Sequence, residues 1–196
     1  RATPASQWLA ASLAEAGFGY QQSSVSTKTP AKNALLLASQ FPLQQLRLAQ
    51  MPKNAQRWLL ASIDTQPPIT LGLMPVPNYT TPKLKYPCGK RGIDEEKPSP
   101  PRFQREHDWI VGMERRGWAD SFRQLHGDRR EYSWYSHRNN GFRLDYAFAC
   151  PRLTPALSEA RYVWGVSDEE PDRREGLSDH AALLLELDAA KIGREA

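Results

Sequence analysis

The chain is poor in the residues that simple chemistries depend on. Among 196 residues there are two cysteines, four histidines and three methionines. Cys88 and Cys150 both lie beside proline, and neither has a metal-type partner spacing. This argues against a thiolate zinc site, and two free thiols in a reducing, cytoplasmic setting are expected in preference to a disulfide. No apolar run approaches the ~20 residues of a membrane-spanning helix, so no membrane span is expected. No basic-plus-apolar leader is visible, so no secretory signal is expected either. Acids are scarce early on: Glu15 and Asp64 are those of residues 1–80. No long basic run exists, and the net charge of +4 is modest, so binding to a polyanion by charge alone is excluded. GxGxxG and GxxxxGK[ST] are both missing, which removes support for dinucleotide and Walker-type phosphate sites.

What remains is an ordinary globular composition, 40% hydrophobic and 24% charged, of a length that predicts one domain over 1–196. Thr3-Pro4 predicts a helix start, and Trp8, Leu9, Leu13 and Ala16 continue at helical spacing to Gly17. Short apolar runs then predict strands at Phe18–Gln21, Ala34–Ala38, Gln45–Ala49, Trp58–Ile63 and Ile69–Leu73. Met74–Pro101 is rich in proline and reads as a long loop. Phe103, Ile110 and Met113 predict a second helix over 101–116, ended by Gly117. Further strands are expected at Tyr132–Ser136, Arg143–Cys150, Arg161–Trp164 and Ala182–Leu187, with a turn at Asn139-Asn140-Gly141. Strands with irregularly inserted helices predict an α+β sheet sandwich with covering helices.

Chemistry concentrates in the last third. Asp145 sits in the apolar run Leu144-Asp145-Tyr146-Ala147-Phe148, where an unpaired carboxylate is costly. Arg143 and Arg161 are candidate partners. Asp179-His180 joins a carboxylate to an imidazole, which can carry a proton near neutral pH. Neighbours on an extended segment point to opposite sides, so both reach one target only if the backbone kinks. His107, His126 and His137 show no ligand-like spacing, and His126 reads as a solvated turn residue. Trp134, Tyr135 and Trp164 either line a pocket or belong to the core.

Taken in order, these pieces carry a resemblance. They are Gly117-Trp118-Ala119-Asp120-Ser121-Phe122-Arg123, Tyr132-Ser133-Trp134-Tyr135-Ser136, Gly141-Phe142-Arg143-Leu144-Asp145-Tyr146-Ala147-Phe148 and Ser178-Asp179-His180. Over about 117–187 the chain resembles the C-terminal half of the endonuclease/exonuclease/phosphatase superfamily, the DNase-I-like phosphoesterases. Upstream, Ala34–Leu43 and Ile69–Asn78, with Val76-Pro77-Asn78, continue the likeness. The resemblance implies a four-layer αββα sandwich and hydrolysis of phosphate esters with Mg2+ or Mn2+. It implies that Asp145 orients His180, that His180 acts on the phosphate and that Asp179 helps hold the metal. It also implies substrate contacts by Asn78, Asn140 and Arg143. Nucleic acid or a smaller phosphate ester is the expected partner, and the expected state is a monomer.

The chain departs from that pattern in three places. Nothing before the first helix provides the family's early Trp-Asn strand or its metal-binding glutamate, and its Gly-Asp-x-Asn element is not found near Cys88-Gly89. Pro75 stands where relatives often place Tyr or His. Segments are therefore expected to be missing at the first two places, before Arg1 and near Cys88-Gly89. Asp94, Glu95 and Glu96 are alternative metal ligands, and a nucleic-acid-binding module without turnover is the competing function.

Overall fold

In the computed structural model the described residues are 2–47, 55–75, 111–136, 139, 141–165 and 178–192. They form a mixed α+β protein with several small sheets. Asn78, Cys88, Asp94, Glu95, Glu96, His107, His137 and Asn140 lie outside them. The chain divides into two compact units, Arg1–Pro77 and Asn78–Ala196. No described helix is long and apolar enough to cross a membrane.

In the first unit, helix α1 spans Pro4–Glu15. Thr3 Oγ1 accepts the Ser6 N–H at 3.3 Å, and Ser6 Oγ accepts the Thr3 N–H at 3.0 Å. This reciprocal cap satisfies two donors that the first helical turn leaves open. Gly17, at φ +94°, turns the chain out of the helix in a conformation that glycine adopts without a Cβ clash. Strand β1 (Tyr20–Ser23) pairs antiparallel with β2 (Leu36–Ser39). Strands β3 (Leu43–Gln45), β4 (Leu59–Ile63) and β5 (Ile69–Leu73) form an antiparallel sheet with β4 in the centre. The central position explains why Leu59 and Ala61 are buried. The sequence places β5 at its observed bounds. β1 and β2 sit one or two residues later than expected and β3 begins two earlier, since the alternating pattern does not fix register at strand ends.

In the second unit, residues 111–115 are helical (α2). The chain leaves α2 through Gly117 at φ +82°, the predicted stop. Strand β6 (Ala119–Asp120) pairs with β9 (Phe148–Ala149), and β7 (Trp134–Tyr135) pairs with β8 (Gly141–Phe142). Asn139, in the connection between β7 and β8, adopts φ +62°, as the turn signal requires. Strands β10 (Leu157–Val163) and β11 (Ala182–Leu187) form a longer antiparallel ladder. Helix α3 (Ser121–His126) packs on β10 and has no counterpart in the sequence expectations. Asp120 caps it, its Oδ1 accepting the N–H groups of Phe122 at 3.1 Å and Arg123 at 3.3 Å. Phe122, Ala160, Tyr162 and Ala181 form the buried cluster of this unit, with Trp164 and Leu183 against it.

Three expectations are corrected here. Residues 143–147 are not a strand: ladder pairing stops at Phe142 and resumes at Phe148. The cause is a local competitor, because Ser133 Oγ accepts the N–H groups of Leu144 at 2.8 Å and Asp145 at 3.1 Å. His126 is not a solvated turn residue. It ends α3, its Nε2 lies 2.7 Å from the Ala160 carbonyl, and its ring is 4.7 Å from that of Phe122. Asp145 pairs with neither candidate arginine, since Arg143 pairs with Asp120 and Arg161 with Glu159.

Gly141 has a packing role. A Cβ there would collide with the ring of Tyr132, so the missing side chain lets the tyrosine lie across β8.

Candidate active site

The site is assembled where Ser133-Trp134 meets Asp179-His180-Ala181. Trp134 and His180 form an antiparallel bridge, and the Ala181 N–H donates to the Ser133 carbonyl at 2.8 Å. Ser133 is fully buried and bonded on several sides. Its N–H donates to the Phe142 carbonyl at 3.0 Å, while its hydroxyl oxygen holds the backbone of residues 144 and 145. A second anchor comes from β10: the Tyr162 hydroxyl donates to the Asp145 carbonyl at 2.6 Å. The backbone of Asp145 is thus fixed at both its N–H and its C=O by side chains from other elements.

From that fixed backbone the Asp145 carboxylate meets the imidazole. Asp145 Oδ2 lies 2.7 Å from His180 Nδ1, with side-chain exposures of 39% and 38% respectively. A carboxylate only accepts, so the Nδ1 position carries the proton and Nε2 is left as the working nitrogen. Ser178 and Asp179 form a bend before His180, and Ser178 Oγ accepts the His180 N–H at 3.1 Å. Asp179 has a partner of its own. Its Oδ2 accepts the indole N–H of Trp134 at 3.0 Å, and among the described residues its Oδ1 has no hydrogen bond.

Arg143 is placed apart from this exposed pair. Its Nη2 lies 2.6 Å from Asp120 Oδ2, with side-chain exposures of 11% and 4%. The guanidinium stacks over Tyr146 at 4.2 Å and lies 5.8 Å from the Phe122 ring. Burial alone would lower its pKa, but the hydrogen bond to Asp120, together with the electrostatic effects of Tyr146, Asp120 and Tyr162, outweighs that and raises it. Nη1 is buried with no hydrogen-bond partner among the described residues. For Tyr162 burial acts the other way and raises the hydroxyl above its usual range, against a smaller opposing effect of Arg143.

Asp145 and His180 are therefore brought together, Asp179 is held beside them through Trp134, and Arg143 is directed into the interior. Asn78 and Asn140, the other expected substrate contacts, fall outside the described residues. Sequence reasoning missed Ser133 and Tyr162 as supports of Asp145. A small hydroxyl residue within the aromatic run Tyr132-Ser133-Trp134-Tyr135 is the one signal that pointed there.

Among the described residues, no group of three or more His, Cys, Asp or Glu side chains could by itself hold a metal ion. The exposed Asp179 is a hard oxygen donor. It fits Mg2+ held by one or two carboxylates together with water and substrate oxygens. No protein-family model matches the chain, and no curated protein matches it.

Proposed function

We propose that the protein is a divalent-metal-dependent phosphoesterase, foremost a nuclease hydrolysing phosphodiester bonds. The observation that carries this reading is the 2.7 Å contact between His180 Nδ1 and Asp145 Oδ2, with Asp179 adjacent on the same segment. These residues belong to the ordered motifs that carry the superfamily resemblance. The reading brings with it a single αββα domain, Mg2+ or Mn2+ as cofactor, nucleic acid or a smaller phosphate ester as substrate, a monomeric state and a cytoplasmic location.

In this reading Asp145 orients the imidazole and stabilises it when it gains a proton. The Nε2 of His180 takes a proton from an attacking water or, protonated, donates a hydrogen bond to a phosphoryl oxygen. Asp179 contributes one oxygen to the metal. When bound, the metal supplies positive charge to the phosphoryl oxygens.

The test is hydrolysis of single- and double-stranded nucleic acid and of a generic phosphodiester, with and without Mg2+ or Mn2+. His180→Ala should lower turnover by ~10²–10⁴-fold, the usual contribution of a positioned acid–base group. Undiminished turnover in that variant would overturn the assignment. The sequence lacks the family's Gly-Asp-x-Asn element, which favours a second reading, a binding module on the same scaffold. That reading expects salt-sensitive nucleic-acid binding without metal-dependent turnover.

A further inference from the structure

Residues 179–181 are held against 133–134 at three consecutive positions, and Trp134 supplies two of the three contacts. Its backbone bridges His180, its indole N–H donates to Asp179 Oδ2 at 3.0 Å, and the Ala181 N–H completes the set on Ser133. The indole ring also lies 6.4 Å from the imidazole and 5.6 Å from Phe142, so its orientation is set by packing on β8. A tryptophan in a short strand commonly serves the core. This one is only half-buried, and its polar edge meets an exposed carboxylate.

We infer that Trp134 is a positioning residue for Asp179: its indole N–H ties down one carboxylate oxygen so that the other is presented to the metal. The inference rests on the phosphoesterase reading. Asp179 and His180 are sequence neighbours at a bend, and each side chain is held by a different partner. Asp145 fixes the direction of the imidazole. Trp134, through its backbone on one residue and its side chain on the other, fixes the direction of the carboxylate relative to it. Without the indole N–H the exposed Asp179 side chain samples several rotamers, and ordering it must then be supplied at metal binding.

Trp134→Phe keeps a smaller aromatic ring near Phe142 and removes the donor. The first measurement is the indole N–H resonance of Trp134 in the full 196-residue chain labelled with ¹⁵N-tryptophan, assigned by its disappearance in W134F. Asp179→Asn, at an exposed position where the fold is not at risk, should shift that resonance upfield by weakening its acceptor. The second measurement is Mn2+ affinity from water-proton relaxation. W134F should raise the Kd by about tenfold, the lower end of what losing a partner of a metal ligand costs. An indole resonance indifferent to D179N, or a W134F chain that binds Mn2+ as tightly as the wild type, overturns the inference alone. A wild-type chain that binds no Mn2+ overturns the phosphoesterase reading and this inference together.

Discussion

Removing the Tyr162 hydroxyl should weaken the protein in a way that depends on pH with a definite sign. Tyr162 is buried, and its hydroxyl donates to the Asp145 carbonyl at 2.6 Å. Tyr162→Phe leaves the ring packed on Phe122 at 5.3 Å but strands that carbonyl. Near neutral pH the cost is about 1–3 kcal/mol, the range for a buried acceptor left without its donor. At high pH the comparison changes. Burial raises the folded-state pKa of Tyr162, so the folded chain keeps a proton that the unfolded chain releases above about pH 10. Stability from this source is fully present below that pH and is lost as pH rises toward the folded-state value. At about pH 11 the wild type should have lost about 1.4 kcal/mol through Tyr162, a loss that Y162F cannot suffer. The gap between wild type and Y162F should therefore narrow by about that amount between about pH 8 and about pH 11. Urea denaturation followed by tryptophan fluorescence at both pH values measures it. A gap that stays constant or widens would refute the reasoning, since the hydroxyl would then titrate alike in both states.

Two further substitutions probe the supports of the site. Ser133→Ala leaves the N–H groups of Leu144 and Asp145 without their shared acceptor and should cost about 2–4 kcal/mol in chemical denaturation. A change below half a kcal/mol, within the scatter of ordinary surface substitutions, would show that solvent satisfies both donors. Asp120→Asn and Arg143→Met should each destabilise by about 3–5 kcal/mol by leaving a buried charge unpaired. The double variant should recover part of that loss, and strict additivity in this cycle would argue against a coupled pair.

The α+β character was legible because several elements carry local signals that tertiary packing does not override. Ile69–Leu73 follows Pro67-Pro68, Ala182–Leu187 ends before Asp188, and both are strands at the expected bounds. Thr3-Pro4 announces α1 through capping chemistry alone. Helix α3 was not legible by periodicity, since its six residues give less than two turns. Asp120 followed by a helical run and Gly127 was the signal available, and it is a capping signal rather than a hydrophobic one. The segment around Asp145 misled in the opposite sense. Its alternation looks like a strand, but a buried serine hydroxyl captures the N–H groups that a ladder would use. For the site, Asp179 and His180 could be singled out from adjacency. That Asp145 reaches His180 across 35 residues could only come from the ordered motifs.

The collision that forbids a side chain at Gly141 reaches further than local packing. Tyr132 lying across that glycine favours the alignment in which Trp134 faces Phe142 and Tyr135 faces Gly141. Among the described residues the ladder so aligned has two residue pairs, too few for hydrogen bonds alone to resist sliding. A slip of one residue would turn Ser133 away from the backbone of residues 144 and 145 and Trp134 away from Asp179. Both carboxylates would lose their settings without any reacting group being altered. A methyl group at position 141 is thus expected to disable the site by changing its alignment.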